Sequence, residues 1–132
     1  MIAGLLGLLA TRNLFSSSPV VISVQVVAFL LFLWARITFG RRSYHVVADP
    51  TEGGLVMGGP YRYIRHPIYA AMCLFTLAGV AGNWSWSSGL IGGVVLASAV
   101  IRVFCEDVLV ERCYPEYAQY AATTWRMIPY VY

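Results

Sequence analysis

The chain alternates long apolar runs with short polar interruptions, and the length of each run decides what it can form. Met1 to Ala10 is apolar but meets Thr11, Arg12 and Asn13, so it falls short of the roughly 20 residues that cross about 30 Å of hydrocarbon. Ser16, Ser17, Ser18 and Pro19 follow as a turn and helix start, with serine as N-cap and proline at the first helical position. From Val20 to Phe39 only Ser23, Gln25, Arg36 and Thr38 interrupt the apolar run, which predicts a transmembrane helix. Gly40, Arg41 and Arg42 close it, glycine as the helix stop and the arginines as interfacial cations.

Residues 43–66 form the one long polar segment, with Asp49, Pro50, Glu52, Gly53-Gly54, Gly58-Gly59 and Pro60; so long a connection in a small protein is usually functional or disordered. Pro67 to Gly82 is apolar again, Asn83 to Ser88 is a polar turn with Trp84 and Trp86 as interfacial anchors, and Gly89 to Phe104 returns as the second arm of a membrane hairpin. Cys105 to Thr124 has the pattern of an amphipathic helix, and Trp125 to Tyr132, with Pro129, is expected to be extended. The pattern predicts an all-α integral membrane protein with three to four transmembrane helices and a C-terminal amphipathic helix.

Composition agrees: 59% of the 132 residues are hydrophobic and 11% charged, against roughly 45–50% and about 25% in soluble domains. So few charges on a soluble fold of this size would leave large apolar patches in water, and a lipid-facing exterior removes the conflict. Intrinsic disorder needs the opposite composition. Three cysteines, Cys73, Cys105 and Cys113, are too few for a disulfide scaffold and read as reduced thiols.

The net charge of +3 comes from basic residues that are all arginine. They punctuate apolar runs instead of forming a stripe on a soluble surface, which argues against a nucleic-acid partner. The N-terminus lacks the basic region and small-residue cleavage site of a secretory signal, so the first apolar stretch is expected to be retained. Arg36, Arg41, Arg42, Arg62 and Arg65 lie between the second and third apolar segments, and Arg102, Arg112 and Arg126 at or beyond the end of the fourth. The excess of cations places both regions on the cytoplasmic side of a multi-pass protein. The polar loop and the C-terminal segment then meet on one membrane face, where a soluble cofactor would bind.

The densest chemistry is Gly59-Pro60-Tyr61-Arg62-Tyr63-Ile64-Arg65-His66-Pro67-Ile68-Tyr69. Pro67 pushes His66 towards an extended conformation and suits the first turn of a helix, so His66 sits at a helix mouth with unpaired N–H groups. Such a site suits an anionic or carboxylate-bearing ligand; the plain alternative is Tyr and Arg anchored in lipid headgroups. Arg102 and Glu106 are four apart and share a helix face. They are either an ion pair that eases the helix out of the membrane or, as ionisable groups at membrane depth, a functional pair. Glu111, Arg112 and Glu116 read as a solvated face. No metal-ligand spacing, phosphate loop or nucleophile elbow is present, so no metal is expected.

GGPYRYIRHPIYAAM, then RVFCED after a hairpin, then YPEYAQYAATTWRMIP resembles the isoprenylcysteine carboxyl methyltransferase family and the related phospholipid N-methyltransferases, as a small bacterial-type member, from about Trp34 to Pro129. One RHPxY is weak; RHPxY, then R-x-x-x-E with a second acid, then P-E-Y-x-x-Y and R-x-x-P in this order is specific. The resemblance implies one membrane methyltransferase domain over 1–132, with N-terminal membrane segments in 1–42 and the catalytic core in 43–132. It also implies S-adenosylmethionine as cofactor. Tyr61, His66, Pro67 and Tyr69 align with cofactor-contacting positions, Leu55 and Val56 with the preceding cofactor loop, Glu106 with a cofactor-contacting glutamate, and Arg102 with the catalytic arginine at the substrate carboxylate. Asp107 departs from the usual second glutamate, Cys113-Tyr114 from a more usual Arg-Phe-like pair, Gly53-Gly54 from more polar residues, and the N-terminal membrane region is short.

These parts suit the cofactor's chemistry: an anion, Glu106, for its ammonium, a donor, His66, for its carboxylate, and aromatic rings, Tyr61 and Tyr69, for its sulfonium. A carboxylate acceptor is already ionised near neutral pH and needs no general base, only alignment and exclusion of water. The expected acceptor is an isoprenylcysteine-like or other lipid carboxylate, a lipophilic small molecule or prenylated chain met in the membrane lipid. A phospholipid or amine N-methyltransferase is the nearest rival, and its nucleophile must shed a proton to a base. A non-catalytic membrane partner protein, its arginines bound to anionic lipid, is the rival of another class.

Overall fold

The computed structural model describes residues 2–10, 14–40 and 54–131. Among them the chain forms α1 (Ile2–Ala10), α2 (Pro19–Phe39), a 3-10 turn (Gly59–Arg62), α3 (Pro67–Gly82), α4 (Trp86–Cys113) and α5 (Tyr117–Thr123). No strand occurs among the described residues. The polar segment's residues 43–53, with Asp49 and Glu52, lie outside them.

The helix boundaries follow local chemistry. Pro19 opens α2 after an extended Ser18, and Gly40, at φ 66°, ends it with its N–H on the Arg36 carbonyl. Pro67 opens α3. Ser85 and Ser88 make a reciprocal capping box, with Ser88 N–H donating to Ser85 Oγ at 3.1 Å and Ser85 N–H to Ser88 Oγ at 2.9 Å. That box starts α4 at Trp86, so the hairpin turn is tighter than the polar pattern predicts.

Two expectations are corrected. The amphipathic helix expected over 105–124 is the end of α4, continuous through Cys113, followed by a separate α5. Pro115 is the cause: the residue before a proline avoids helical geometry, and Tyr114 is extended at φ −126°, ψ 104°. The segment from Trp125 is not extended throughout. Trp125 alone pairs, in parallel, with Ile64; residues 126–131 bend and turn because Met127 is drawn into a core with Cys73, Ala99 and Val103 while Arg126 reaches Asp107.

α3 packs on both α2 and α4, and α1 packs on α4. Gln25 is buried in α2, its amide donating to the carbonyl of Leu14 at 2.7 Å, which satisfies a polar group otherwise stranded among apolar neighbours. Leu8, Leu14 and Val80 form a second core cluster. Asn83 Nδ2 bonds the Phe15 carbonyl at 2.8 Å, so the start of α2, the end of α3 and the start of α4 share one end of the molecule with Trp84 and Trp86. The other end gathers the end of α2, the 3-10 turn, the mouth of α3 and the last turns of α4.

Two helices, Pro19–Phe39 and Trp86–Cys113, are long and apolar enough to cross a membrane, and only 17% and 28% of their most apolar stretches are buried inside the protein. At 1.5 Å per residue they measure about 31 and about 42 Å. Ile22, Val26, Phe29, Leu30, Leu33 and Ile37 project from α2 as an exposed apolar surface. α3 is a shorter apolar helix of 16 residues, and α1 has nine. Glu106 lies about 30 Å along α4 from Trp86, a separation that equals the thickness of a bilayer's hydrocarbon core.

Candidate functional site

The site is built where the mouth of α3 meets the last turns of α4. Gly59 has φ 56°, and a Cβ there would stand 2.5 Å from Thr38 Oγ1 and 3.1 Å from Trp34 Nε1; only glycine lets the 3-10 turn lie this close against α2. The ring of Tyr61 then rests 5.5 Å from that of Phe39, and burial pushes its phenol well above the ordinary tyrosine range. From Tyr63 to His66 the backbone is bound to the C-terminal segment: Trp125 N–H donates to the Tyr63 carbonyl at 3.0 Å, Arg65 N–H to that of Trp125 at 2.7 Å, and His66 N–H to that of Arg126 at 2.9 Å. Arg65 donates from Nη1 to the carbonyls of Ala121 and Thr124, both at 2.7 Å, so a cation holds the end of α5.

His66 precedes α3 as expected, outside helical geometry but short of fully extended at φ −122°, ψ 57°, with Pro67 buried behind it. One turn into α3, Tyr69 donates its hydroxyl proton to Glu106 Oε1. Arg102 donates from Nε to the Tyr69 oxygen at 3.0 Å and holds Nη2 3.9 Å from the same Glu106 oxygen. The other carboxylate oxygen of Glu106 is 3.7 Å from His66 Nδ1. Four of the residues singled out in the sequence, His66, Tyr69, Arg102 and Glu106, therefore converge. The Arg102 side chain is 45% exposed and that of Glu106 22%, so the cation stands at the rim and the anion inside it.

Leu55 and Val56 are half-buried in the irregular stretch 54–57 and bring apolar surface only. Tyr61 joins through its backbone, its carbonyl accepting from the Tyr120 hydroxyl at 2.6 Å. Glu111, Arg112 and Glu116 are exposed, as the pattern predicts.

The residue to which sequence reasoning gives no role, beyond its place as the motif's second acid, is Asp107. Its carboxylate accepts from His66 Nε2 at 2.7 Å, from the Tyr117 hydroxyl and from Arg126 Nε at 3.0 Å, with Arg65 Nη2 at 3.8 Å. Burial and the bond to Asp107 push the Tyr117 phenol well up. The Arg126 guanidinium also lies 4.8 Å over the Phe104 ring. Donors from the mouth of α3, from α5 and from the C-terminal segment thus end on one side chain of α4. The sequence signal is its place as the second acid after Glu106, which names none of these partners.

The arrangement gathers a carboxylate, an imidazole, a phenol and a guanidinium where the apolar helix α3 begins beside the last turns of α4. Nothing among curated proteins and nothing among solved structures matches the chain. The family model described as phospholipid methyltransferase matches residues 20–117, a stretch that takes in Tyr61, His66, Tyr69, Arg102, Glu106 and Asp107. Methyltransferases of this family are membrane-associated and use S-adenosylmethionine as methyl donor. With most of its length matched from α2 into α5, the chain belongs to the phospholipid methyltransferase family.

Proposed function

We propose that the protein transfers a methyl group from S-adenosylmethionine to the carboxylate of a membrane-embedded lipophilic acceptor, isoprenylcysteine-like or another lipid acid. The observation that supports this is the grouping of Tyr69, Arg102 and Glu106 about 30 Å from the tryptophan end of α4. The residues present suit the donor: Glu106 offers a carboxylate and His66 Nδ1 a lone pair for its ammonium, and Tyr69 offers aromatic surface, with Leu55 and Val56 as apolar lining. When bound, the cofactor supplies an electrophilic methyl carbon on a sulfonium. Arg102, at the exposed rim, orients the acceptor's anionic group, and the apolar faces of α3 and α4 exclude water. The pocket faces the cytoplasm, the side on which the arginines accumulate.

The family match favours a second reading, methylation of a phospholipid amine. In that case Arg102 holds the phosphodiester, and the ammonium must give its proton to a base, for which Glu106 is the carboxylate in the group. Incubation with radiolabelled S-adenosylmethionine against total membrane lipids and prenylcysteine analogues separates the two. Base-labile label on a carboxylate acceptor supports the first reading, and label retained through alkaline hydrolysis in a lipid amine replaces it with the second.

A further inference from the structure

Asp107 does more than tie segments together. Its side chain is 11% exposed, and the His66 side chain is 10% exposed. A carboxylate that receives Arg126 Nε and Tyr117 while Arg65 lies alongside is an acceptor only, so the His66 nitrogen 2.7 Å away must be the one that carries hydrogen. With Nε2 committed, the opposite edge of the ring, Nδ1, is the one turned to Glu106 Oε2 at 3.7 Å. That separation is too long for a direct hydrogen bond. Two acidic neighbours on α4 therefore divide the imidazole between them, one holding an edge and the other sharing the space beyond the opposite edge.

We propose that Asp107 is a positioning residue that acts through His66, fixing the ring's orientation and tautomer so that Nδ1 is presented on the Glu106 side. The functional part rests on the cofactor reading above: Nδ1 is the edge that meets S-adenosylmethionine. The second carboxylate of the Glu106-Asp107 pair serves the site from behind the imidazole and does not touch the cofactor. Arg126, bonded to the other Asp107 oxygen, and Arg65 beside it keep Asp107 in place, which makes the C-terminal segment part of the binding apparatus.

In Asp107→Asn the amide cannot accept from all the same donors. The two arginines retain its oxygen, its nitrogen turns to His66, and the ring is driven to carry hydrogen on Nδ1. The test uses the full chain with His45→Gln, so that His66 is the single imidazole, and 15N-labelled histidine read by long-range 1H–15N spectra. The parent is expected to show hydrogen on Nε2, and Asp107→Asn a neutral ring protonated on Nδ1. The Kd of S-adenosylmethionine is expected to rise about tenfold in Asp107→Asn, the size of one charge-assisted contact. Tyr117→Phe removes a donor to the same Asp107 oxygen, and it is expected to lower Tm while leaving tautomer and affinity as in the parent. A parent ring that is neutral and protonated on Nδ1 overturns the proposal, whether or not Asp107→Asn folds. So does an Asp107→Asn protein that binds as tightly as the parent, or a Tyr117→Phe protein whose tautomer switches. A parent with the Nε2 tautomer and no cofactor binding overturns the cofactor reading and leaves the hold of Asp107 on His66 standing.

Discussion

Tyr69 of α3 donates its hydroxyl to Glu106 of α4, 37 residues further along the chain, and Arg102 reaches both. One oxygen of Glu106 is thereby engaged within the protein while the other faces His66. Glu106→Gln keeps the shape and removes the charge, and it should weaken S-adenosylmethionine binding by about 1.5–3 kcal/mol. Calorimetry on the folded variant checks this, and unchanged affinity ends the assignment of Glu106 to the cofactor.

Arg102 separates acceptor from donor. Arg102→Ala should keep cofactor affinity while kcat/KM for the lipid acceptor falls, because a charge-assisted contact that orients the acceptor is lost. Arg102→Lys should recover little, since an ammonium lacks the planar fork. If Arg102 only neutralises Glu106 across the 3.9 Å of their pair, yield and cofactor affinity collapse together instead. Yield, affinity and acceptor kinetics measured on one preparation decide.

Orientation is open to labelling. In a chain freed of Cys73, Cys105 and Cys113, a cysteine at Ser87, in the exposed tryptophan turn, should react with an impermeant reagent added outside intact cells. One at Thr123, at the end of α5, should not. The reverse pattern overturns the cytoplasmic orientation proposed for the pocket.

Two glycines with positive φ provide a matched pair. Gly54, at φ 77°, has open space for 4 Å around the point a Cβ would occupy, whereas a Cβ on Gly59 meets Thr38 and Trp34. Gly54→Ala should incur backbone strain alone, about 1–2 kcal/mol, as for any left-handed alanine. Gly59→Ala should cost more, since the 3-10 turn must also withdraw from α2. Thermal unfolding in detergent gives the order, and equal losses refute the close approach.

Alkaline pH should loosen the same corner. The Tyr120 hydroxyl donates to the Tyr61 carbonyl, and burial pushes its pKa from 10.0 up to about 12. A group whose pKa is raised on folding contributes stability that is intact below the unfolded value and lost as pH rises through the folded one. Stability should therefore decline between about pH 10 and about pH 12, and Tyr120→Phe, less stable at neutral pH by about 1 kcal/mol, should show a shallower decline. An identical slope in both proteins excludes Tyr120 as the source.

The sequence is most legible where a rule acts over a few residues. Pro19, Gly40 and Pro67 mark helix ends, and the spacing of Arg102 and Glu106 puts them on one face. Pro115 also carries a readable signal, which the amphipathic pattern of 105–124 overrides. Asp107 is different in kind: it is turned about 100° from Glu106 around the helix, and its donors, Arg65, His66, Tyr117 and Arg126, are spread along the chain without any fixed spacing. Only the docking of α5 and the segment after it reveals that they share one acceptor.

The bonds from Arg65 to Ala121 and Thr124, from His66 to the Arg126 carbonyl, and from Arg126 to Asp107 all join the mouth of α3 or the end of α4 to residues made after them. During synthesis, which proceeds at about 5–20 residues per second, the apolar helices are complete while the imidazole and carboxylates still lack the groups that restrain them. The apolar helices therefore leave the ribosome before the residues that restrain the imidazole and carboxylates, and the site is complete only once residues 121–126 have folded back on it.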